Sequence, residues 1–231
     1  MNGTVRLVDS VPDAFADLVA DGVARATPPG YALFLSGGGT AVECYRALAG
    51  RRGVDWSGVD VYLGDERCVP PDDPDSNHAM IAGTLLDVVG PVRSDHPMYV
   101  SGSPGDAAVA YQALVAGLAR MDLVHLGLGP DGHCASLFPG STALDDRDPS
   151  HLVVANEDPN GVNPHPRITL TYAGIARAAR TVFTVSGPSK RDALARIRAG
   201  EDLPAGRVTG RDIVWLVDAD ALGDIDPDSV G

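Results

Sequence analysis

Short β-rich apolar runs alternate with stretches of helical periodicity along almost the whole chain, and this alternation restricts the fold more than any other feature. Strand-like runs occur at Thr4–Val8, Tyr31–Leu35, Val59–Leu63, Leu123–Leu128, Thr181–Val185 and Ile213–Val217, with shorter ones at Leu152–Ala155 and Ile168–Thr171. Between them, apolar residues at helical spacing predict helices over Val11–Ala26, Thr40–Ala49, Asn77–Val88, Ala107–Arg120 and Lys190–Ala199. Pro12 fits a first helical turn, and Pro28, Pro29 and Gly30 end that helix. A Pro- and Asp-rich loop runs from Val69 to Ser76. Such alternation predicts an α/β fold whose largely parallel sheet is flanked by helices. No internal repeat or low-complexity linker divides the sequence, so residues 1–231 are read as one domain.

Composition narrows the function classes. Hydrophobic residues make up 44% of the 231, enough for a substantial core. No stretch approaches the roughly 20 apolar residues of a membrane helix. The start, MNGTVRLVDS, lacks the basic-then-apolar pattern of a signal peptide, so a cytoplasmic location with no membrane partner is expected. Cys44, Cys68 and Cys134 are scattered and odd in number, which argues against a disulfide framework or a zinc knuckle. The formal net charge is −13, and no run of Lys and Arg occurs, so nucleic acid is not an expected partner. A small anion would need a few local cations. Of the 18 basic residues, 17 are arginine, and Lys190 is the one lysine. That position is read as one that uses a compact ammonium rather than a planar fork.

In open α/β sheets, ligands sit beyond the carboxyl ends of the strands. Ser36, Gly37, Gly38, Gly39 and Thr40 follow the Tyr31–Leu35 run and lead into a helix. Consecutive glycines remove the Cβ atoms that would keep an anion from the backbone, and helix-start N–H groups hold phosphate well. No Gly-Lys-Ser/Thr follows, and Val42 stands at the third glycine position of the dinucleotide fingerprint, so neither nucleotide loop is present. Gly64, Asp65, Glu66 and Arg67 follow the Val59–Leu63 run. By themselves they read as a solvated turn; beside a phosphate loop, Arg67 becomes a clamp and Asp65 a partner for a sugar hydroxyl or a cation. The Leu123–Leu128 run leads into Gly129-Pro130-Asp131-Gly132-His133-Cys134, where Asp131 can orient His133. Asp131, His133 and Cys134 have no recognised metal-ligand spacing, and no metal is expected. No G-x-S-x-G elbow exists, which sets a serine nucleophile aside. Arg167 precedes the Ile168–Thr171 run, and Lys190 lies in Ser186-Gly187-Pro188-Ser189-Lys190, after the Thr181–Val185 run.

Taken with their order and spacing, these residues resemble the 6-phosphogluconolactonase family from about Val5 to Asp218. The matching stretches are LSGGGT (35–40), LGDERCVP (63–70) with SN (76–77), LGLGPDGHCASLFPG (126–140), RITLTY (167–172) and SGPSK (186–190). The resemblance implies a Rossmann-like fold shared with glucosamine-6-phosphate deaminase, ribose-5-phosphate isomerase and coenzyme A transferases. It implies hydrolysis of 6-phospho-D-glucono-1,5-lactone to 6-phosphogluconate without a cofactor, the second step of the oxidative pentose phosphate pathway. Within it, His133 matches the proposed base and Asp131 the aspartate beside it. Arg67 and Lys190 match residues associated with phosphate, with Arg167 a further match. The family usually has threonine where this chain has Cys134, a poorer hydrogen-bond donor, which bears on the surroundings of His133.

Two other functions share part of this pattern. A glucosamine-6-phosphate deaminase or isomerase has a similar glycine loop, but it carries an aromatic-containing acidic segment where GDER stands here. It also needs a further carboxylate soon after the histidine, and residues 135–139 supply none. A non-catalytic sugar-phosphate sensor tied to transcription would need a DNA-binding segment, and no basic helical unit is present.

Overall fold

Seven strands form one parallel sheet in the order β1 (Thr4–Leu7), β10 (Ile213–Val217), β9 (Ala178–Val185), β6 (Met121–Gly127), β2 (Tyr31–Leu35), β3 (Val59–Leu63) and β5 (Ser94–Asp95) in the computed structural model, which describes residues 1–223. Every residue of β2, β3 and β10 is buried, as expected of strands covered on both faces by crossover helices. The main helices are α1 (Val11–Ala24), α2 (Gly39–Ala49), α5 (Pro104–Ala116) and α7 (Arg191–Arg198). Shorter ones are α3 (Asn77–Ile81), α4 (Asp87–Val89), α6 (Tyr172–Ala176) and α8 (Ala219–Leu222). One continuous core joins sheet and helices, from Phe15 and Leu48 through Phe34 and Val124 to Leu194 and Trp215. Among the described residues no helix is long and apolar enough to cross a membrane.

Several boundaries move from their sequence-predicted places for identifiable reasons. Strand β6 begins two residues early, at Met121, because the Asp122 carboxylate accepts the Ala32 N–H at 2.8 Å and pairs with Arg120 at 2.9 Å. Strand β9 extends back to Ala178 because Arg180 pairs with Asp212 at 2.6 Å. Helix α5 starts at Pro104, where Ser103 caps it by accepting the Asp106 N–H at 3.1 Å. The expected helix after Asn77 is not uniform: a π-helical turn, Ala82–Leu86, separates α3 from α4. The polar GDER segment is not a plain turn either. Its last three residues are strand β4 (Asp65–Arg67), which pairs antiparallel with β8 (Arg167–Leu170), and β8 pairs antiparallel with β7 (Val153–Asn156). This three-stranded sheet stands over the carboxyl end of β3.

The chain leaves β2 in two directions. Strands β3 and β5 lie on one side of it, and β6, β9, β10 and β1 on the other. The β2–β6 boundary is therefore a topological switch point, where such sheets open a ligand crevice.

Candidate active site

A cavity of about 360 Å³ opens at this switch point, between the ends of β2, β6 and β9 and the small antiparallel sheet. Its first wall is the glycine loop. Gly38, with φ 105°, is the N-cap of α2 and supplies no side-chain cap. Helices α1 and α5 differ, being capped by Ser10 and Ser103. The amides at the start of α2 have no intrahelical acceptor, and Gly39, Thr40 and Ala41 line the cavity. Gly37 packs so tightly on the Asn77 side chain that a Cβ there would overlap its amide. Below the loop, the buried Tyr45, His125 and Thr184 are linked to Ser36 by hydrogen bonds of 2.7–2.8 Å.

The second wall carries the Asp131–His133 pair. Nδ1 of His133 lies 2.5 Å from Oδ1 of Asp131, which also accepts the His133 backbone N–H at 3.1 Å. With its Nδ1 proton donated to this carboxylate, a neutral ring keeps its Nε2 lone pair free. The ring meets Phe138 edge-on, with centroids 5.2 Å apart. His133 lines the cavity, and Asp131 stands behind it. Partial burial works against the Asp131 carboxylate, but hydrogen bonds and the charge of His133 outweigh it and hold its pKa below the ordinary range. Gly129 makes the arrangement possible: a Cβ there would occupy the space of the His133 ring and Asp131 Oδ1.

The cations form the third wall. Strand register sets Arg67 directly opposite Arg167, a like-charge pairing that is unfavourable unless an anion lies between. Arg67 donates from Nη1 to the Asp75 carbonyl at 2.6 Å. Arg167 is 5% exposed; its Nη2 donates to the Pro164 carbonyl at 2.8 Å, while its buried Nε has no hydrogen-bond partner among the described residues. Burial pulls the Arg167 pKa down, the Asp65 charge opposes this, and Arg67 adds to it. Lys190 also lines the cavity but couples to a different group. Burial lowers its pKa, and the Asp131 carboxylate partly restores it.

Asp65 faces this cavity from β4 with its carboxylate fixed. Ser136 Oγ donates to Oδ2 at 2.6 Å, and the Asn77 amide donates to the Asp65 carbonyl at 2.9 Å. Ser136 reaches Asp65 because Ala135 takes a left-handed conformation, φ 47°, which costs a non-glycine residue roughly 1–2 kcal/mol. Hydrogen bonds from the Ser136 amide to Thr169 and from Asn156 to the Ser136 carbonyl hold the turn. Cys134 is 1% exposed and packs in the core, where burial pushes its thiol pKa far up, so it serves as a small apolar group rather than as a partner of the histidine.

All the residues expected from sequence meet here. Ser36, Gly37, Gly38, Gly39, Thr40, Asp65, Arg67, His133, Arg167 and Lys190 line the cavity, and Asp131 supports it through His133. Glu66 had no role assigned from sequence and acquires one. It is buried, and its carboxylate accepts the N–H groups of Arg67, Asn77 and His78, each at 2.7 Å, and the Ser76 hydroxyl at 3.2 Å. It thereby anchors the start of α3 and sets Asn77 and Arg67 in place. Burial raises its pKa, and the three amides act against that rise. Among the described residues, no group of three or more His, Cys, Asp and Glu is arranged to hold a metal ion.

Comparison with known proteins places the chain in a family. Residues 4–215 match the family described as glucosamine-6-phosphate isomerases/6-phosphogluconolactonase. The chain is 37% identical over 207 residues to the 6-phosphogluconolactonase of Mycobacterium tuberculosis, covering 82% of this chain and 83% of that protein. It is 36% identical over 206 residues to that of a Nostoc species, covering 83% of each. The crystal structure of 6-phosphogluconolactonase from Thermotoga maritima superposes with a TM-score of 0.82 at 28% identity, covering 94% of this chain and all of that one. A monomeric glucosamine-6-phosphate deaminase shares the fold, with a TM-score of 0.79 at 22% identity over 96% of this chain and 98% of that one.

Proposed function

The chain belongs to the glucosamine-6-phosphate isomerase/6-phosphogluconolactonase family, and we propose that it is an enzyme that hydrolyses 6-phospho-D-glucono-1,5-lactone to 6-phosphogluconate with His133 as its base. The observation that carries this reading is one cavity holding both an Asp131-oriented histidine and an opposed pair of arginines. The first activates water, and the second binds the substrate's phosphate.

In the proposed reaction, His133 Nε2 takes a proton as water attacks the lactone carbonyl. The new C–O bond gives a tetrahedral intermediate, which collapses as the bond to the ring oxygen breaks. The imidazolium returns its proton to that leaving oxygen, so the ring is neutral again when the open-chain acid departs. Asp131 keeps the Nδ1 proton in place throughout and stabilises the transient cation. The glycine loop, Arg67, Arg167 and Lys190 grip the phosphate and so place the distant carbonyl against the base, a use of remote binding energy. Asp65, fixed by Ser136, accepts a sugar hydroxyl. No metal or nucleotide enters the scheme, and residues 1–231 act as one catalytic unit.

Purified protein is expected to accelerate hydrolysis of freshly made 6-phosphogluconolactone above the spontaneous rate, with EDTA having no effect. The unphosphorylated lactone should be a poor substrate. Activity lost on chelation and restored by a divalent metal would rule out this mechanism.

A second expectation concerns Lys190. Lys190→Ala should weaken binding of 6-phosphogluconate, since a lost charge-assisted hydrogen bond costs about 1.5–3 kcal/mol, or roughly tenfold or more in Kd. Hydrolysis of the unphosphorylated lactone should barely change. Burial depresses the Lys190 pKa, so product affinity should fall on the alkaline side before pH reaches the usual lysine value of about 10.4. Lys190→Arg should remove that alkaline loss and still bind more weakly at neutral pH, because a planar fork does not replace a compact ammonium. Calorimetric titration with 6-phosphogluconate across this range checks both points. Equal losses on phosphorylated and unphosphorylated lactones would place Lys190 at the reacting carbonyl instead.

A further inference from the structure

His125 interrupts the apolar run of β6, is fully buried, and has no part in the reaction above. Both of its ring nitrogens are engaged: Nδ1 lies 2.8 Å from the Tyr45 hydroxyl and Nε2 2.8 Å from Thr184 Oγ1. Burial keeps the ring neutral, with its pKa pulled down to about 3, so one nitrogen carries a proton and the other does not.

The Tyr45 hydroxyl decides which. It has three polar neighbours at 2.8 Å: the Ser36 N–H, which only donates, the Ser36 carbonyl, which only accepts, and His125 Nδ1. A phenol has one proton to give. The Ser36 carbonyl has no other donor among the described residues, and an unpaired buried carbonyl is costly. The phenol proton therefore goes to Ser36. Nδ1 must then carry a proton and donate it to Tyr45, while Nε2 accepts from Thr184.

The consequence falls on one peptide bond. The Ser36 carbonyl and the Gly37 N–H belong to the same planar trans unit and point in opposite directions. With the carbonyl pinned to Tyr45 beneath the loop, the Gly37 N–H faces the other way, toward the cavity that Gly37 lines. Glycine alone would let this peptide flip at little cost; the pin prevents it. We propose that His125 is a positioning residue that, through Tyr45, fixes the Ser36–Gly37 peptide with its N–H directed at the anionic group of the substrate. This rests on the glycine loop being the phosphate site.

Nitrogen-15 NMR of the labelled enzyme should show His125 as a single neutral Nδ1–H tautomer from about pH 5 to about pH 9, where an ordinary histidine titrates. His125→Leu should raise both KM and the Kd for 6-phosphogluconate by about tenfold with little change in kcat or in its pH profile. His125→Asn, whose amide N–H replaces Nδ1–H, should recover most of the affinity. An Nε2–H tautomer, an Asn variant no better than Leu, or a fall in kcat at unchanged Kd would overturn the proposal. Should His125→Leu fail to fold, the tautomer in the parent enzyme still decides. Should the parent bind gluconate as well as 6-phosphogluconate, the phosphate reading fails while the tautomer result stands by itself.

Discussion

His133→Gln is expected to lower kcat by a factor on the order of 10²–10⁴, the usual worth of a positioned general base, while 6-phosphogluconate still binds. The two effects separate because different elements supply them. The base stands on the loop after β6, whereas the opposed arginines belong to β4 and β8. Glutamine is the informative replacement: it keeps a polar side chain in the cavity but cannot take a proton from water. The pH dependence adds a check on Asp131. Its carboxyl is held below the ordinary range, so it stays ionised as pH falls past the unfolded value of about 3.9 and is lost only below it. Loss of activity at milder acidity therefore reports proton uptake by a group other than Asp131. The spontaneous reaction speeds up in base, so its rate is subtracted at every pH. If His133→Gln retains near-parental kcat after that subtraction, histidine is not the base, and water polarised by Asp131 or Asp65 becomes the alternative.

What the sequence made legible follows from how local each signal is. The triple glycine after a buried strand, the Asp131-Gly132-His133 turn and the single lysine each carry their chemistry in a few adjacent residues. Their convergence followed from the rule that parallel strands deliver ligands to their carboxyl ends. Glu66 was not legible as an anchor, because its four donors include three supplied 10–12 residues further along the chain. A buried carboxylate and a solvated one look alike until the fold closes over them. Strand β4 escaped notice for a related reason: three charged residues carry no apolar alternation, and only pairing with β8, about 100 residues later, makes them a strand. The role of His125 is less local still, since Tyr45 lies 80 residues before it and Thr184 59 after. Asp122 and Arg180 delayed the expected strand starts because a charge inside a strand is tolerable only with a partner that the sequence does not announce.

Gly129→Ala tests the catalytic geometry without replacing a catalytic group. Gly129 is not in the left-handed region, so its backbone accepts a side chain without strain. What the new Cβ meets is the His133 ring at Nδ1 and Cε1, and Asp131 Oδ1 at 2.7 Å. No backbone atom is among these nearest neighbours, so the methyl group displaces the pair rather than the fold. A shift of about 1 Å in a positioned group costs on the order of 10² in rate, and kcat should fall by about that factor. Binding of 6-phosphogluconate should persist, because the glycine loop and the arginines stand on other strands. The melting temperature should stay close to that of the parent. Gly37→Ala is the matching control at the other wall: its Cβ meets the Asn77 amide, so it should weaken product binding more than it lowers kcat. If Gly129→Ala keeps parental kcat, the Asp131–His133 pair either yields to the methyl group at no cost or does not perform the chemistry. An activity measurement on His133→Gln in parallel separates these: an inactive Gln variant beside an active Ala variant means the pair yields, and two active variants mean that the base lies elsewhere.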